Sequence, residues 1–257
     1  MKQGFSLVEL SIVLVILGLL TGGILAGQNL IRAAELRAVT TQINNFSSAV
    51  HTFRDKYFAL PGDMLNAQAF WGAEPAASCP GTAATPSTSS ATCNGNGNGL
   101  VNISTDSNEM FRAWQHLANA GLIEGSYSGV QGALRSDHAI PDENAPRMKL
   151  DNATVHFQNY GSRVSTDPNF FEGQYTNVLL IGREQTTGGF PHAPFLKPGE
   201  LWNIDTKIDD GRPGTGGILS WNNTFKADCT TTNNIATSEY ALGNENVSCS
   251  LISKPLN

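Results

Sequence analysis

The chain opens MKQGFSLVELSIVLVILGLL, and the run from Phe5 to Gly27 limits what it can fold into more than any other stretch. Apart from Glu9 that run has no ionisable side chain. At a rise of about 1.5 Å per residue, a helix over this span crosses a hydrocarbon core of roughly 30 Å. Glu9 is then an exception that needs a reason. On insertion scales an ionised side chain at the centre of a spanning helix costs roughly 2.5 to 3.5 kcal/mol, and such residues face a protein partner or a polar pathway. An acid inside a membrane segment is a functional-site hypothesis by default.

A secretory signal places its basic residues first, a short apolar stretch next and a small-residue cleavage site last. Here Lys2 is the only basic residue before the apolar run, and the small residue, Gly4, precedes that run. Cleavage between Gly4 and Phe5 would remove a short hydrophilic leader and keep the whole apolar helix on the product. Glu9 would then lie close to the new amino terminus.

Gly4-Phe5-Ser6-Leu7-Val8-Glu9-Leu10, continued by Ser11-Ile12-Val13-Leu14-Val15-Ile16-Leu17-Gly18-Leu19-Leu20, closely resembles the processing site and helix of type IV prepilins and of type II secretion pseudopilins. The resemblance implies that a membrane prepilin peptidase cuts after Gly4 and methylates the new amine of Phe5. It also implies that Glu9 pairs with the N-terminal ammonium of a neighbouring subunit during filament assembly. The physics agrees, because a carboxylate and an ammonium meeting in a low-dielectric helix bundle attract strongly, and either one alone is penalised.

Beyond the membrane run, Leu36, Val39, Ile43, Phe46, Val50, Phe53 and Tyr57 recur at alternating spacings of three and four. That spacing draws an apolar stripe along a helix whose other faces carry Arg32, Glu35, Arg37, Arg54, Asp55 and Lys56. One long helix is therefore expected from the membrane to about Ala59, stopped by Leu60-Pro61-Gly62-Asp63 because proline disfavours helical geometry in the residue before it. Gly18, Gly22 and Gly23 permit close approach of neighbouring helices. This divides the chain into a leader (1–4), a membrane and assembly helix (5–27), its amphipathic continuation (28–60) and an exported globular domain (61–257).

The globular part is rich in Gly, Asn, Thr and Ser, and only 15% of the chain is charged. A net charge of −6 offers no attraction to nucleic acid, and none is expected as a partner. The four cysteines form no Cys-x-x-Cys pair, so disulfides are the expected state of an exported domain. They allow three connectivities. Cys79–Cys93 with Cys229–Cys249 is preferred, since each pair brackets a loop with little core of its own.

A short helix is expected over Met64–Gly72, and a second starts at Asp106, with Glu109 completing a box and Met110, Phe111, Trp114, Leu117 and Ala118 on its apolar face. Trp114 reads as core and His116 as surface. Strands are expected at Ala153–Gln158 and Thr176–Gly182. The whole is α+β and pilin-like: a long N-terminal helix packed on an antiparallel sheet, with short helices and disulfide-closed loops.

Two segments invite a cation. Asn94-Gly95-Asn96-Gly97-Asn98-Gly99 offers oxygens but no carboxylates, and reads as a flexible turn. Asp205, Asp209 and Asp210 fall at the end of a helix carrying Leu201, Ile204 and Ile208 on another face. They could bind calcium, as some major pseudopilins do, although a solvated acidic turn is the plainer reading; no other cofactor is expected. His51, His116, His138, His156 and His192 are scattered, no catalytic motif accompanies them, and no enzyme is expected.

The expected function is a structural subunit of a type IV pilus or a type II secretion pseudopilus. Its partners would be the prepilin peptidase, copies of itself, other pilins or pseudopilins, and an inner-membrane assembly platform. It would stand in the inner membrane with its globular domain exported, and then in a pilus at the cell surface or a periplasmic pseudopilus. The competing reading is a membrane-anchored binding or enzymatic ectodomain that does not polymerise. A DNA-uptake filament is a third destination within the family, and the acidic charge argues mildly against direct DNA contact.

Overall fold

A computed structural model describes residues 6–75, 79, 89–102, 108–185, 187, 189–221 and 228–256. Its dominant element is α1, Leu7–Tyr57, one unbroken helix of 51 residues. Five members of the expected stripe, Val39, Ile43, Phe46, Val50 and Phe53, are buried, and Leu36 and Tyr57 pack against the same core. The helix ends a little earlier than Pro61 requires. Phe58 adopts the left-handed conformation (φ 53°) and its N–H closes on the Arg54 carbonyl at 2.8 Å, so the stop is a C-cap of the left-handed kind.

After α1 come α2 (Ala67–Trp71), shorter than the expected Met64–Gly72, and α3 (Glu109–Asn119). Asp106 lies outside the described residues. The N-cap of α3 is Asn108, and Glu109 opens the helix instead of completing a box three residues into it. Strands β1 (Ala153–Gln158), β2 (Gly161–Arg163), β3 (Gly173–Tyr175) and β4 (Val178–Arg183) follow. Helix α4 (Pro198–Ile208), β5 (Ile218–Ser220) and β6 (Leu251–Ser253) complete the order. The second expected strand is displaced to Val178–Arg183 because Asn177, at φ 50°, makes a turn out of its first residues.

The main sheet is antiparallel throughout, in the order β1-β4-β6-β5, and the β1/β4 hairpin continues past a bend as the β2/β3 ribbon. Alternate residues serve two apolar layers. Val155, Phe157, Leu179, Ile181 and Leu251 meet α1 and α3, with Trp114 set edge-on to Phe46 at 5.3 Å. Val178, Leu180, Leu219 and Ile252 meet Tyr160, Phe170, Tyr175 and Trp221 on the other face. Disulfides Cys79–Cys93 and Cys229–Cys249 are both formed, the sequence-local pairing.

His116 is core, not surface. It is buried between Phe53 and Trp71, its Nδ1 accepts the Gly62 N–H at 3.0 Å and its Nε2 meets the Thr92 hydroxyl at 3.0 Å. His156 is also fully buried, edge-on to Phe111 and Phe190, and neither ring nitrogen has a hydrogen-bond partner. Burial first, and then the neighbouring His138 and His192, push its pKa down from 6.5 to about 3.

As the pH falls below 6.5 the unfolded chain takes up a proton that folded His156 refuses. Its contribution to stability is therefore complete above that pH and is lost progressively as pH falls towards 3. His156→Phe should raise the unfolding free energy at pH 5 by about 1 to 2 kcal/mol, with a smaller change at pH 7.5. Urea titrations at the two pH values check this, and an equal change at both would contradict it.

Candidate functional site

The N-terminal turn of α1 is built from a reciprocal cap. Ser6 stands in extended backbone as the N-cap, its hydroxyl accepts the Val8 N–H at 3.3 Å, and the Glu9 carboxylate accepts the Ser6 N–H at 2.8 Å. Glu9 thus lies where the helix macrodipole favours a negative charge, beside the residue that follows Phe5. Gly4 and Phe5 themselves lie outside the described residues.

From Leu7 to Ile31 the large apolar side chains are exposed all round the helix, Leu7 by 88% and Ile31 by 63%. This half of α1 is long and apolar enough to cross a membrane, and nothing among the described residues covers it. A helix that is apolar on every side is stable only in lipid or against other helices. The glycines Gly18, Gly22, Gly23 and Gly27 face open space, with no atom within 4 Å of where a Cβ would stand.

The exposed half gives way to the docked half at Arg32. Its guanidinium holds both oxygens of Glu200, Nε to Oε1 at 2.5 Å and Nη2 to Oε2 at 2.8 Å, and also reaches Glu35. Glu200 accepts the Lys197 N–H at 2.9 Å as well, so one carboxylate caps α4 and clasps α1. Burial pushes the Glu200 carboxyl up, but the hydrogen bonds from Arg32 and Lys197 outweigh it and leave it below its ordinary 4.5. Glu9 stands about 35 Å away along the helix, so the two acids belong to separate sites.

At the other end of α4, oxygens of Asp205, Asp209 and Asp210 come within 4.8 Å of one another. Asp205 is fully buried, accepting the Tyr240 hydroxyl at 2.7 Å and the Gly211 N–H at 3.1 Å, which departs from a wholly solvated turn. Burial, opposed by those two bonds and reinforced by Asp210 and Asp209, lifts its pKa to about 7. Asp209 accepts the N–H groups of Gly217 and Ile218, and Asp210 accepts from the Arg212 N–H and the Thr215 hydroxyl. The donor set is of the hard, oxygen-only kind that suits calcium. The same oxygens also tie the 210–218 loop to α4 by their own hydrogen bonds.

Two acids whose anchoring role the sequence did not reveal, Asp63 and Glu109, do comparable work. Asp63 takes the Asn98 and Gly99 N–H groups at 3.0 and 2.8 Å, and Glu109 takes those of Asn96 and Asn102 at 3.0 Å each. The Asn-Gly repeat is therefore an anchored loop and not a flexible turn. No signal local to the repeat names these acceptors, since both acids lie outside it in the sequence. His51 and His192 each meet a backbone carbonyl, and His138 meets Glu184 at 3.2 Å; the five histidines do not gather into one site.

Against known families, residues 1–25 match the prokaryotic N-terminal methylation motif. No curated protein and no solved structure matches the chain. The chain thus carries a prepilin-type cleavage and methylation segment at the head of its long apolar helix.

If Arg32 and Glu200 clasp α1 to α4, a double-mutant cycle with Arg32→Ala and Glu200→Gln should give a coupling energy of about 1 kcal/mol at low salt. Glutamine keeps an acceptor for the Lys197 N–H, so helix capping cancels in the cycle. Urea unfolding of the full chain in micelles provides the measurement, and a coupling near zero would remove the clasp.

Proposed function

We propose that this protein is a structural filament subunit, processed between Gly4 and Phe5 by a prepilin peptidase, methylated on Phe5, and polymerised through α1 into a type IV pilus or a type II secretion pseudopilus. The observation that carries this reading is the junction of two facts: the methylation motif at residues 1–25, and a helix whose apolar half is left uncovered by the described residues. The motif also fits a membrane-anchored subunit with an exported domain.

Assembly then amounts to burying the Phe5 to Gly27 helices of successive subunits against one another. In lipid there is no hydrophobic gain from helix association, so close van der Waals packing and polar pairing must supply the driving force. The open space around Gly18, Gly22, Gly23 and Gly27 gives neighbouring helices room to approach. Glu9 sets the register: its carboxylate caps its own helix in the single chain and, in the filament, accepts the methylated ammonium of a neighbouring Phe5. The partners on this reading are the peptidase, further copies of the chain or related subunits, and an inner-membrane assembly platform.

Glu9→Ala should leave processing intact while reducing filament incorporation by at least about tenfold, the equivalent of one charge-assisted contact. Sheared-filament fractions and cross-linking in membranes read this out. Normal incorporation of the variant would defeat the register role, and a parent chain that never cross-links to itself or to other subunits would favour an anchored ectodomain.

Calcium is our proposal for the cation at Asp205, Asp209 and Asp210. Adding calcium to chelator-treated protein should raise its melting temperature, and Asp210→Asn should abolish the rise. A melting temperature that millimolar calcium does not move would leave these acids as loop anchors alone.

A further inference from the structure

The segment Asn94-Gly95-Asn96-Gly97-Asn98-Gly99 contains three Asn-Gly bonds in a row, the dipeptide in which asparagine most readily attacks itself. The glycine nitrogen, on losing its proton, bonds to the asparagine Cγ, and the Cγ–Nδ2 bond breaks to release ammonia. Water then opens the resulting succinimide at either carbonyl to give aspartate or isoaspartate. The net change is one water consumed and one ammonia released. Glycine favours the step because it has no side chain to hinder ring closure.

In this fold each attacking nitrogen is held by a separate acceptor. The Gly95 N–H donates to the Met64 carbonyl at 2.8 Å, the Gly97 N–H to the Asp63 carbonyl at 3.0 Å, and the Gly99 N–H to the Asp63 carboxylate Oδ2 at 2.8 Å. The asparagine oxygens are held too, those of Asn94, Asn96 and Asn98 accepting the N–H groups of Gln68, Asn98 and Leu100. The glycines are required by the loop. Gly97 and Gly99 have φ of 68° and 81°, and a Cβ at Gly95 would run into the backbone of Gly62 and Asp63. The chain therefore keeps a chemically hazardous sequence because the conformation demands it.

We infer that Asn98–Gly99 is a latent self-modification site held closed by the Asp63 side chain. Two of the three nitrogens are held by backbone carbonyls, which no side-chain substitution removes. Only Gly99 depends on a side chain. Asp63 accepts at both oxygens, and the negative charge of its carboxylate at the alkaline pH where deamidation runs opposes formation of the amide anion that must attack. Asn98 and Gly99 are exposed, so water is at hand to complete the reaction once the nitrogen is released.

The test incubates the full-length chain in detergent micelles at mildly alkaline pH. Peptide mapping follows each asparagine, by the mass change of amide to acid and by isoaspartate content. In Asp63→Asn, deamidation at Asn98 should accelerate by about tenfold or more, the factor for one charge-assisted hydrogen bond, while Asn94 and Asn96 keep the parent rate. An unchanged Asn98 rate overturns the inference. So does equal acceleration at all three positions, since Asp63 would then support the loop as a whole. A second measurement does not depend on the variant: in the parent, all three bonds should react much faster in denaturant than in the fold, and equal rates would also overturn the protection.

Discussion

One helix in this molecule has to satisfy two solvents, and the rest of the structure is arranged around the point where it changes from one to the other. Before Arg32, α1 is apolar on every side and uncovered by the described residues; after it, a single stripe from Val39 to Phe53 is buried against α3 and the sheet. The Arg32–Glu200 clasp marks the change, joining the stalk to the first turn of α4 with a bidentate pair. A chain built this way is complete as a fold only from Arg32 onward. The apolar stretch from Leu7 to Ile31 is a surface awaiting either lipid or other helices.

The globular domain is poor in charge, and it uses its few acids as loop anchors. Asp63, Glu109, Asp205, Asp209 and Asp210 each accept backbone N–H groups from loops that have little apolar content of their own. The two disulfides act in the same regions, closing loops of 14 and 20 residues of sequence separation. On the order of 3 kcal/mol each is expected from such closures in the chain-entropy account. Anchoring carboxylates, buried at Asp63, Glu109 and Asp205 and exposed at Asp209 and Asp210, thus act with local cross-links in place of the secondary structure that these Gly-, Asn- and Thr-rich stretches cannot form.

What could be read from the sequence followed from periodicity and from strong local signals. The three-and-four stripe gave the docked face of α1 residue by residue, the apolar run gave the uncovered half, and the cysteine spacing gave the pairing. Long-range partners were not legible. Nothing local to His116 says that Gly62, Thr92, Phe53 and Trp71 will enclose it, and nothing near Asn94 says that Asp63 and Glu109 will supply acceptors. The end of α1 was misattributed for a related reason: Pro61 is a visible stop, but the left-handed cap at Phe58 depends on how the following turn packs. In the candidate site, Glu9 was legible as an anomaly, and the Ser6-x-x-Glu9 spacing was a further legible sign, unused in reading the sequence, of its reciprocal bond with Ser6.

The central claim is that the head of this chain is a processed and methylated assembly segment. Intact-mass and N-terminal fragment analysis of the protein taken from its own membranes, alongside a strain lacking the prepilin peptidase, tests it most directly. A product beginning at methylated Phe5 in the first strain, and a chain still carrying Met1 to Gly4 in the second, is the result this account predicts. Retention of Met1 to Gly4 in both strains would contradict it, leaving Glu9 without the ammonium it is proposed to bind and α1 as an anchor alone.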